Sequence, residues 1–491
     1  MIEQPAVFSP NAADPASVTA GAEAGLSSPK TTTGIADLVR RLGGEAPAGH
    51  WPPVAARREE HGPAAQAAGG ANRAFLPVAP PTLQAAELTD RDVESLTLKF
   101  LLNATRASGR RIAEQLGLTF NLVNDFIARL KAEQLVQHKE AAAFGDYLYE
   151  LTPTGRERAQ NYAQQSTYFG AAPVSLETYF ESVAAQSVKR QRPGIERLCA
   201  AFQDLTLDIE MISRLGQAIH AGAALFLYGA PGNGKTSIAQ RITESFGSSL
   251  WIPKAIHASG EIVRLYDQSN HHAVELPKTE GYMDLAGYDQ RWVLIQRPTI
   301  IVGGELAMEN LEITNNPITG ISEAPLQLKA NGGTLVIDDF GRQRMSTREL
   351  LNRWIIPLEN GYDFLELASG RRLKAPFDQM IVFSTNLEPK ELVDEAFLRR
   401  IPYKVEVGDP TAIQFKKLLL QTAKTLELEI EDRTADYLIN THYRLAHRPM
   451  RFCHARDLLK HVSVYCSFAQ QPRAVTEKAL DSAVATYFPS L

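Results

Sequence analysis

The sequence predicts an α/β chain in which a parallel sheet carries a phosphate-binding loop and an all-helical segment follows, preceded by a small helix-rich domain and an unstructured tail. Three observations predict it. The stretch "GAPGNGKT", residues 229–236, lies between the apolar run Ala223 to Tyr228 and the helical pattern "KTSIAQRI". Downstream, "NGGTLVIDDF" reads as a second buried strand, Leu335 to Ile337 led by Thr334, that delivers two carboxylates at its end. Ahead of both, 38 of the first 80 residues are Ala, Pro or Gly, a composition that cannot bury enough apolar surface to offset the entropy of ordering it.

Size and charge narrow the classes. At 491 residues the chain exceeds one ordinary core, and with 44% hydrophobic residues it can build several. A net charge of -5 argues against chain-wide affinity for nucleic acid or anionic membrane. The longest apolar run, near "AGAALFLYGA", is far short of a membrane span, and the N-terminus lacks a charged-then-apolar signal pattern. A cytoplasmic protein with no membrane insertion is expected. Cys199, Cys453 and Cys466 are odd in number and lack metal-ligand or redox spacing, so they read as reduced core thiols.

Residues 1–87 are expected to form the disordered Ala/Pro/Gly-rich tail. It is interrupted by "GIADLVRRLGG", where Ile35, Leu38, Val39 and Leu42 line one short helical face. Residues 88–160 change texture: "LTDRDVESLTLKFLLNAT", "SGRRIAEQLGL" and "TFNLVNDFIARLKAEQLV" are three capped helical patterns, and "VQHKEAAAFGDYLYELT" is a strand-turn-strand candidate. Together they resemble a winged helix-turn-helix. Duplex DNA is the partner that resemblance first raises, yet this segment carries ten Lys or Arg and ten acidic residues. The helix that would enter a groove opens with no basic residue, although Asn121 and Asn124 could read adenine. Arg106, Arg110 and Arg111 form the one basic knot. A protein-binding or dimerising role is therefore favoured over duplex DNA. Residues 161–194 read as a connector, 195–410 as the nucleotide-binding core and 411–491 as a helical lid.

The loop pattern G-x-x-x-x-G-K-[ST] specifies its own chemistry. Its glycines let successive backbone N–H groups turn onto a phosphate chain, so Gly229, Ala230, Pro231, Gly232, Asn233, Gly234, Lys235, Thr236 and Ser237 form the expected cradle. Lys235 would reach the outer phosphates and Thr236 would ligate Mg2+. Asp338 would hold a magnesium-bound water, and Asp339 would act as general base toward the attacking water. A third strand, "MIVFSTN", ends in Asn386, an amide suited to orienting water or the outermost phosphate. In "DEAFLRRIPYKVEV", Arg399 and Arg400 fall where a helix gives way to a strand, with no acidic run in the surrounding "AFLRRIPY" to neutralise them.

With these elements in this order, residues 195–491 resemble the AAA+ ATPase family. The resemblance implies ATP and Mg2+ as ligands, a Walker A loop at 229–236 and Walker B carboxylates at Asp338 and Asp339. It also implies sensor 1 at Asn386, an arginine finger at Arg399 or Arg400 reaching a neighbour's nucleotide in a homo-oligomeric ring, and sensor 2 at Arg456, with Arg448 and Arg451 as rivals. "YDFLELASGRRLKAPF", with Ser369 and Gly370 at its turn, is similar to the hairpin that MoxR-type chaperones and enhancer-binding activators carry before sensor 1. The activators are disfavoured because no GAFTGA loop precedes "APLQLKANGG". Most of the family has Glu where this chain has Asp339, and one methylene less misplaces a water by roughly an ångström, enough to slow hydrolysis about a hundredfold. The expected activity is ATP hydrolysis coupled to remodelling or assembling an unknown protein client. The alternatives are a DNA-associated ATPase and a slow nucleotide-sensing switch. Between Thr236 and Asp338, "EIVRLYD" and "RWVLIQRPTIIV" suggest an inserted hairpin or sheet extension. His271 and His272 are adjacent, point apart on a strand and lack acidic partners at ligand spacing, so no metal is expected there.

Overall fold

The computed structural model describes residues 75–275, 287–393 and 395–488, and the short helical pattern at 34–44 lies outside them. The centre is a five-stranded, fully parallel sheet. Its strands lie in the order Thr299–Val302, Thr334–Ile337, Met380–Thr385, Leu225–Tyr228, Tyr403–Glu406. The three inner strands are mostly apolar and buried over nearly their whole length, as a sheet covered on both faces requires. One face carries an aromatic cluster in which Phe226, Phe340 and Phe383 meet at centroid distances of 4.9–5.8 Å, with Trp354 fully buried beside Phe383. Against the other face pack Ile238, Ala239 and Ile242 of the helix Lys235–Glu244, and Leu215 and Ile219 of the helix Ile209–Ala221.

The region before Thr334 is divided differently from its sequence pattern. "RWVLIQRPTIIV" is not one extension: Trp292–Gln296 pairs antiparallel with Ser249–Pro253, whereas Thr299–Val302 is the edge strand of the central sheet. Pro298 separates the two runs because it offers no N–H to a ladder. A second five-stranded sheet follows the order Thr314–Asn315, Ser322–Glu323, Glu261–Arg264, Ala255–Ala258, Val174–Ser175. Its last strand shows that 161–194 holds more than a connector with one short helix. Val174–Ser175 pairs with Ile256 and His257, and the following helix, Leu176–Ala185, buries Tyr179 and Val183 in the same cluster as Ile256 and Val263.

Ahead of this lie the helices Asp90–Ala104, Gly109–Leu116 and Phe120–Ala132, then a sheet in the order Arg106–Ser108, Tyr147–Leu151, Val136–Ala141, then the helix Pro153–Gln165. Thr89 and Asp92 close a capping box on the first helix, satisfying donors that would otherwise be orphaned. Order begins before residue 88, which corrects the boundary placed on the tail. Phe75 packs on Trp292 at 5.3 Å, Asp289 N–H donates to the Pro77 carbonyl, and the buried Arg291 donates to the carbonyls of Ala86 and Pro173. Composition missed this because the partners are some two hundred residues away in sequence.

C-terminal to the sheet, the helices Ala412–Thr425, Asp432–Tyr437, Phe452–Phe468 and Glu477–Tyr487 share one core around Phe415, Tyr443 and Leu458. The hairpin Tyr362–Glu366 with Arg372–Pro376 turns at Gly370, whose φ of +77° is natural only for glycine.

Candidate active site

The strand Leu225–Tyr228 ends at Gly229, and the chain turns through positive φ at Gly229, Gly232 and Gly234 before the helix starts at Lys235. At Gly229 a side chain would also lie 2.5 Å from the Val407 carbonyl, so close backbone approach requires glycine there. The neighbouring strands end on the same side: Ile337 leads to Asp338 and Asp339, and Thr385 to Asn386. Parallel packing of three strands thus brings loop, carboxylates and amide together.

Their side chains form a connected set. Lys235 Nζ donates to Asn386 Oδ1 at 2.6 Å and to the carbonyls of Gly229 and Ala230 at 2.9 and 3.1 Å. Asn386 Nδ2 lies 3.3 Å from Asp339 Oδ1, and Thr236 Oγ1 donates to Asp338 Oδ2 at 2.7 Å. Burial pushes the Lys235 ammonium below the usual lysine range, while Asp338 and Asp339 pull it back up. These groups line a cavity of about 470 Å³ together with Leu205, Thr206 and Leu207 from below, and Leu418, Phe452, Cys453 and Arg456 from the helical lid. The lid's floor touches the loop directly, for Cys453 N–H donates to the Gly232 carbonyl at 2.9 Å.

Asp339 sits at φ +48°, a left-handed conformation that aspartate tolerates better than most side chains. Gln343 holds that turn: its amide nitrogen donates to the carbonyls of Asp338 and Asp339, and its oxygen accepts from Gly341 N–H. Sequence reasoning missed Gln343, which carries no motif. It also missed Asp409, which accepts from Asn233 at 2.7 Å and pairs with Arg451, tying the loop to the residue just before the lid helix Phe452–Phe468.

Two expectations need correction. Arg400 is not left without an acid, because its Nε pairs with Glu359 Oε1 at 2.6 Å; the helix Thr347–Asn360 brings in a partner that lies 41 positions away. Arg399 is exposed. Cys453 is not a core thiol but part of the cavity wall, whereas Cys466 is buried. Among the three lid arginines, Arg456 lines the cavity with its side chain 63% exposed, Arg451 is held by Asp409, and Arg448 stacks on Phe488 and donates to the His442 carbonyl. His271 is buried and bonded to the Lys329 carbonyl and the Asp267 amide. Among the described residues, no group of three His, Cys, Asp or Glu side chains is arranged to hold a metal ion by itself. None of the described helices is long and apolar enough to cross a membrane.

A parallel sheet with the loop strand flanked by the Asn386 strand and the 403–406 strand, Asp338 one strand beyond Asn386, and a helical lid closing on the loop reproduce the expected architecture. The core has the AAA+ fold. Solved structures similar to this chain include RuvB of Thermotoga maritima, titled a Holliday junction branch migration motor, at 15% identity over 60% of this chain and 70% of that one, TM-score 0.32. NtrX from Brucella abortus is similar in its complexes with ATP, at 14% identity over 57% and 56% and TM-score 0.36, and with ADP, at 15% over 60% and 58% and TM-score 0.37. A family described as a domain of unknown function, DUF8689, matches residues 411–486, the span of the lid helices. No curated protein matches the sequence.

Proposed function

We propose that the chain binds ATP with Mg2+ in the 470 Å³ cavity, hydrolyses it, and couples the cycle to remodelling or assembling a protein partner. The observation that carries the reading is the hydrogen-bonded set in which Lys235, Asn386 and Asp339 on one side, and Thr236 and Asp338 on the other, converge from three strands. The donor set fits the cation: a hydroxyl and a carboxylate oxygen 2.7 Å apart are hard ligands of the kind Mg2+ keeps beside a nucleotide. When bound, the cation would neutralise charge on the outer phosphates. Thr236 would hold it directly and Asp338 through water.

The chain's own residues supply the rest. Lys235 is held by two loop carbonyls and Asn386, so its ammonium is already poised at the cavity and exchanges those acceptors for phosphate oxygens when ATP enters. Asn386 is then released toward water or the outermost phosphate. Asp339, within reach of Asn386, takes the proton of the attacking water. Its short side chain makes turnover slow, as suits a switch-like cycle.

A protein partner is favoured over DNA for the segment 88–160, which we read as a winged helix. Its basic knot is already engaged: Arg106 pairs with Glu150, Arg111 with Glu114, and Arg110 lies 4.6 Å over the Phe120 ring. Few cations are left for phosphates.

Lys235→Ala tests the site. Loss of tight binding of a fluorescent ATP analogue, with the fold retained by circular dichroism, is expected, and unchanged affinity would remove the assignment. Retention of the full chain on duplex DNA, lost steeply with salt, would replace the protein partner by DNA.

A further inference from the structure

Away from the nucleotide cavity, a second cleft of about 650 Å³ opens between the first helical domain and the smaller sheet. Its floor is Lys99, on the helix Asp90–Ala104. The side chain is buried, 4% exposed, and its Nζ donates to the Ser166 carbonyl at 3.1 Å. A buried ammonium ordinarily sits against a carboxylate, because desolvation without a counter-charge is costly. Among the described residues Lys99 has no such partner. Asp92 is taken up by the amide and hydroxyl of Thr89, Glu94 by Arg158 and Tyr162, and Glu261, across the cleft, by the amide of Ser369. The cost shows in the lysine itself, whose pKa burial pushes down to about 8.

Geometry makes this vacancy in charge a site and not merely a strained core residue. Arg91, Ser95 and Lys99 follow one another at intervals of four along one face of the helix, and all three line the cleft. They present a guanidinium at the mouth, a hydroxyl halfway and an ammonium at the floor, the two cations about 12 Å apart along the axis. His257 faces them from the smaller sheet. Lys99 has two N–H groups beyond the one given to Ser166, and a compact oxyanion would accept them with charge assistance.

We propose that this cleft is a binding site for a small oxyanion-bearing molecule, a carboxylate or a phosphate ester, whose anionic group meets Lys99 and whose remainder runs past Ser95 toward Arg91. The ligand would touch the helical domain through Lys99 and the core through His257, so its binding stabilises one packing of those two parts. The site is independent of the nucleotide cavity, with which it shares no residue.

The test is calorimetric titration of the full chain at fixed ionic strength, with succinate as the carboxylate probe and inorganic phosphate as the phosphate probe. The phosphate arm uses the Lys235→Ala protein, so that the nucleotide loop does not contribute. Saturable binding of at least one probe is expected. Lys99→Met, which replaces a buried cation by an apolar chain of similar length, should weaken it at least about tenfold, the scale of a lost charge-assisted hydrogen bond. Ser95→Asp, on a half-buried position and so less demanding of the core, should weaken it to a similar extent through like-charge repulsion. Affinity for the fluorescent ATP analogue should be unchanged in both. The preferred probe tells carboxylate from phosphate. Absence of binding by both probes, or binding that survives either substitution in a folded protein, overturns the proposal.

Discussion

At the scale of single residues, the site turns on how short side chains are held. Asp339 reaches Asn386, and through it Lys235, from a left-handed backbone that Gln343 fixes by three hydrogen bonds. This gives a physical reason for aspartate at a position where the resemblance implies glutamate, since few side chains other than glycine, asparagine and aspartate sit comfortably at φ +48°. Asp339→Asn should leave ATP binding intact and stop turnover, because an amide cannot accept the proton of water. Asp339→Glu should keep or raise turnover while lowering stability by roughly 1 kcal/mol, the cost of left-handed backbone for a longer side chain. Paired turnover and thermal-melt measurements check both, and an unaltered melting point in Asp339→Glu would show that the backbone is not strained there.

Between elements, the contact that matters most joins the phosphate loop to the lid. A Cβ on Gly232 would stand 2.4 Å from Cys453 Sγ, while Cys453 N–H is bonded to the Gly232 carbonyl and Asn233 reaches Asp409, the partner of Arg451. Loop and lid are therefore packed without slack, and a methyl group at 232 must displace one of them. Gly232→Ala should weaken ATP-analogue binding at least about tenfold, since small misplacements at a site carry large costs. Adding Cys453→Ala should restore part of the affinity but not all, because the φ of +82° at 232 disfavours alanine regardless of space. A double-mutant cycle on the dissociation constants measures the coupling, and strict additivity would mean that loop and lid do not sense each other.

For the whole molecule, the resemblance to the AAA+ family implies a ring in which one of the arginines after the fourth strand of the central sheet reaches a neighbour's nucleotide. The structure divides them. Arg400 belongs to its own subunit through Glu359 and lies against Phe397, whereas Arg399 is exposed. In such a ring Arg399, being exposed, would be the one of the two to serve a neighbouring nucleotide, and an arginine so used is worth about 10³ to 10⁵ in rate. Arg399→Ala should bind ATP normally and hydrolyse it poorly, and mixing it with Lys235→Ala subunits should restore activity, because mixed interfaces unite an intact loop with an intact arginine. If the single variant is unimpaired and mixing changes nothing, the residue is a surface cation and the ring loses its support. Arg400→Ala should instead show its effect in thermal stability.

Much of the core was legible in the sequence because its signals are local. A glycine spacing dictates a loop, an apolar run dictates a buried strand, and a strand end dictates which side chain is presented, so Lys235, Thr236, Asp338, Asp339 and Asn386 were identifiable before their convergence was seen. The helical patterns of 88–132 and the hairpin at 362–376 were readable for the same reason. What only the tertiary structure decided depends on partners distant in the chain. The pairing of Arg400 with Glu359, the placing of Cys453 against Gly232, the packing of residues 75–87 on the 288–292 turn and the strand given by 174–175 to the smaller sheet all join segments that share no local pattern. Lys99 is the sharpest case: in sequence it is one lysine among acids on an amphipathic helix, and it becomes a buried, unneutralised charge only because folding commits each nearby carboxylate to another donor.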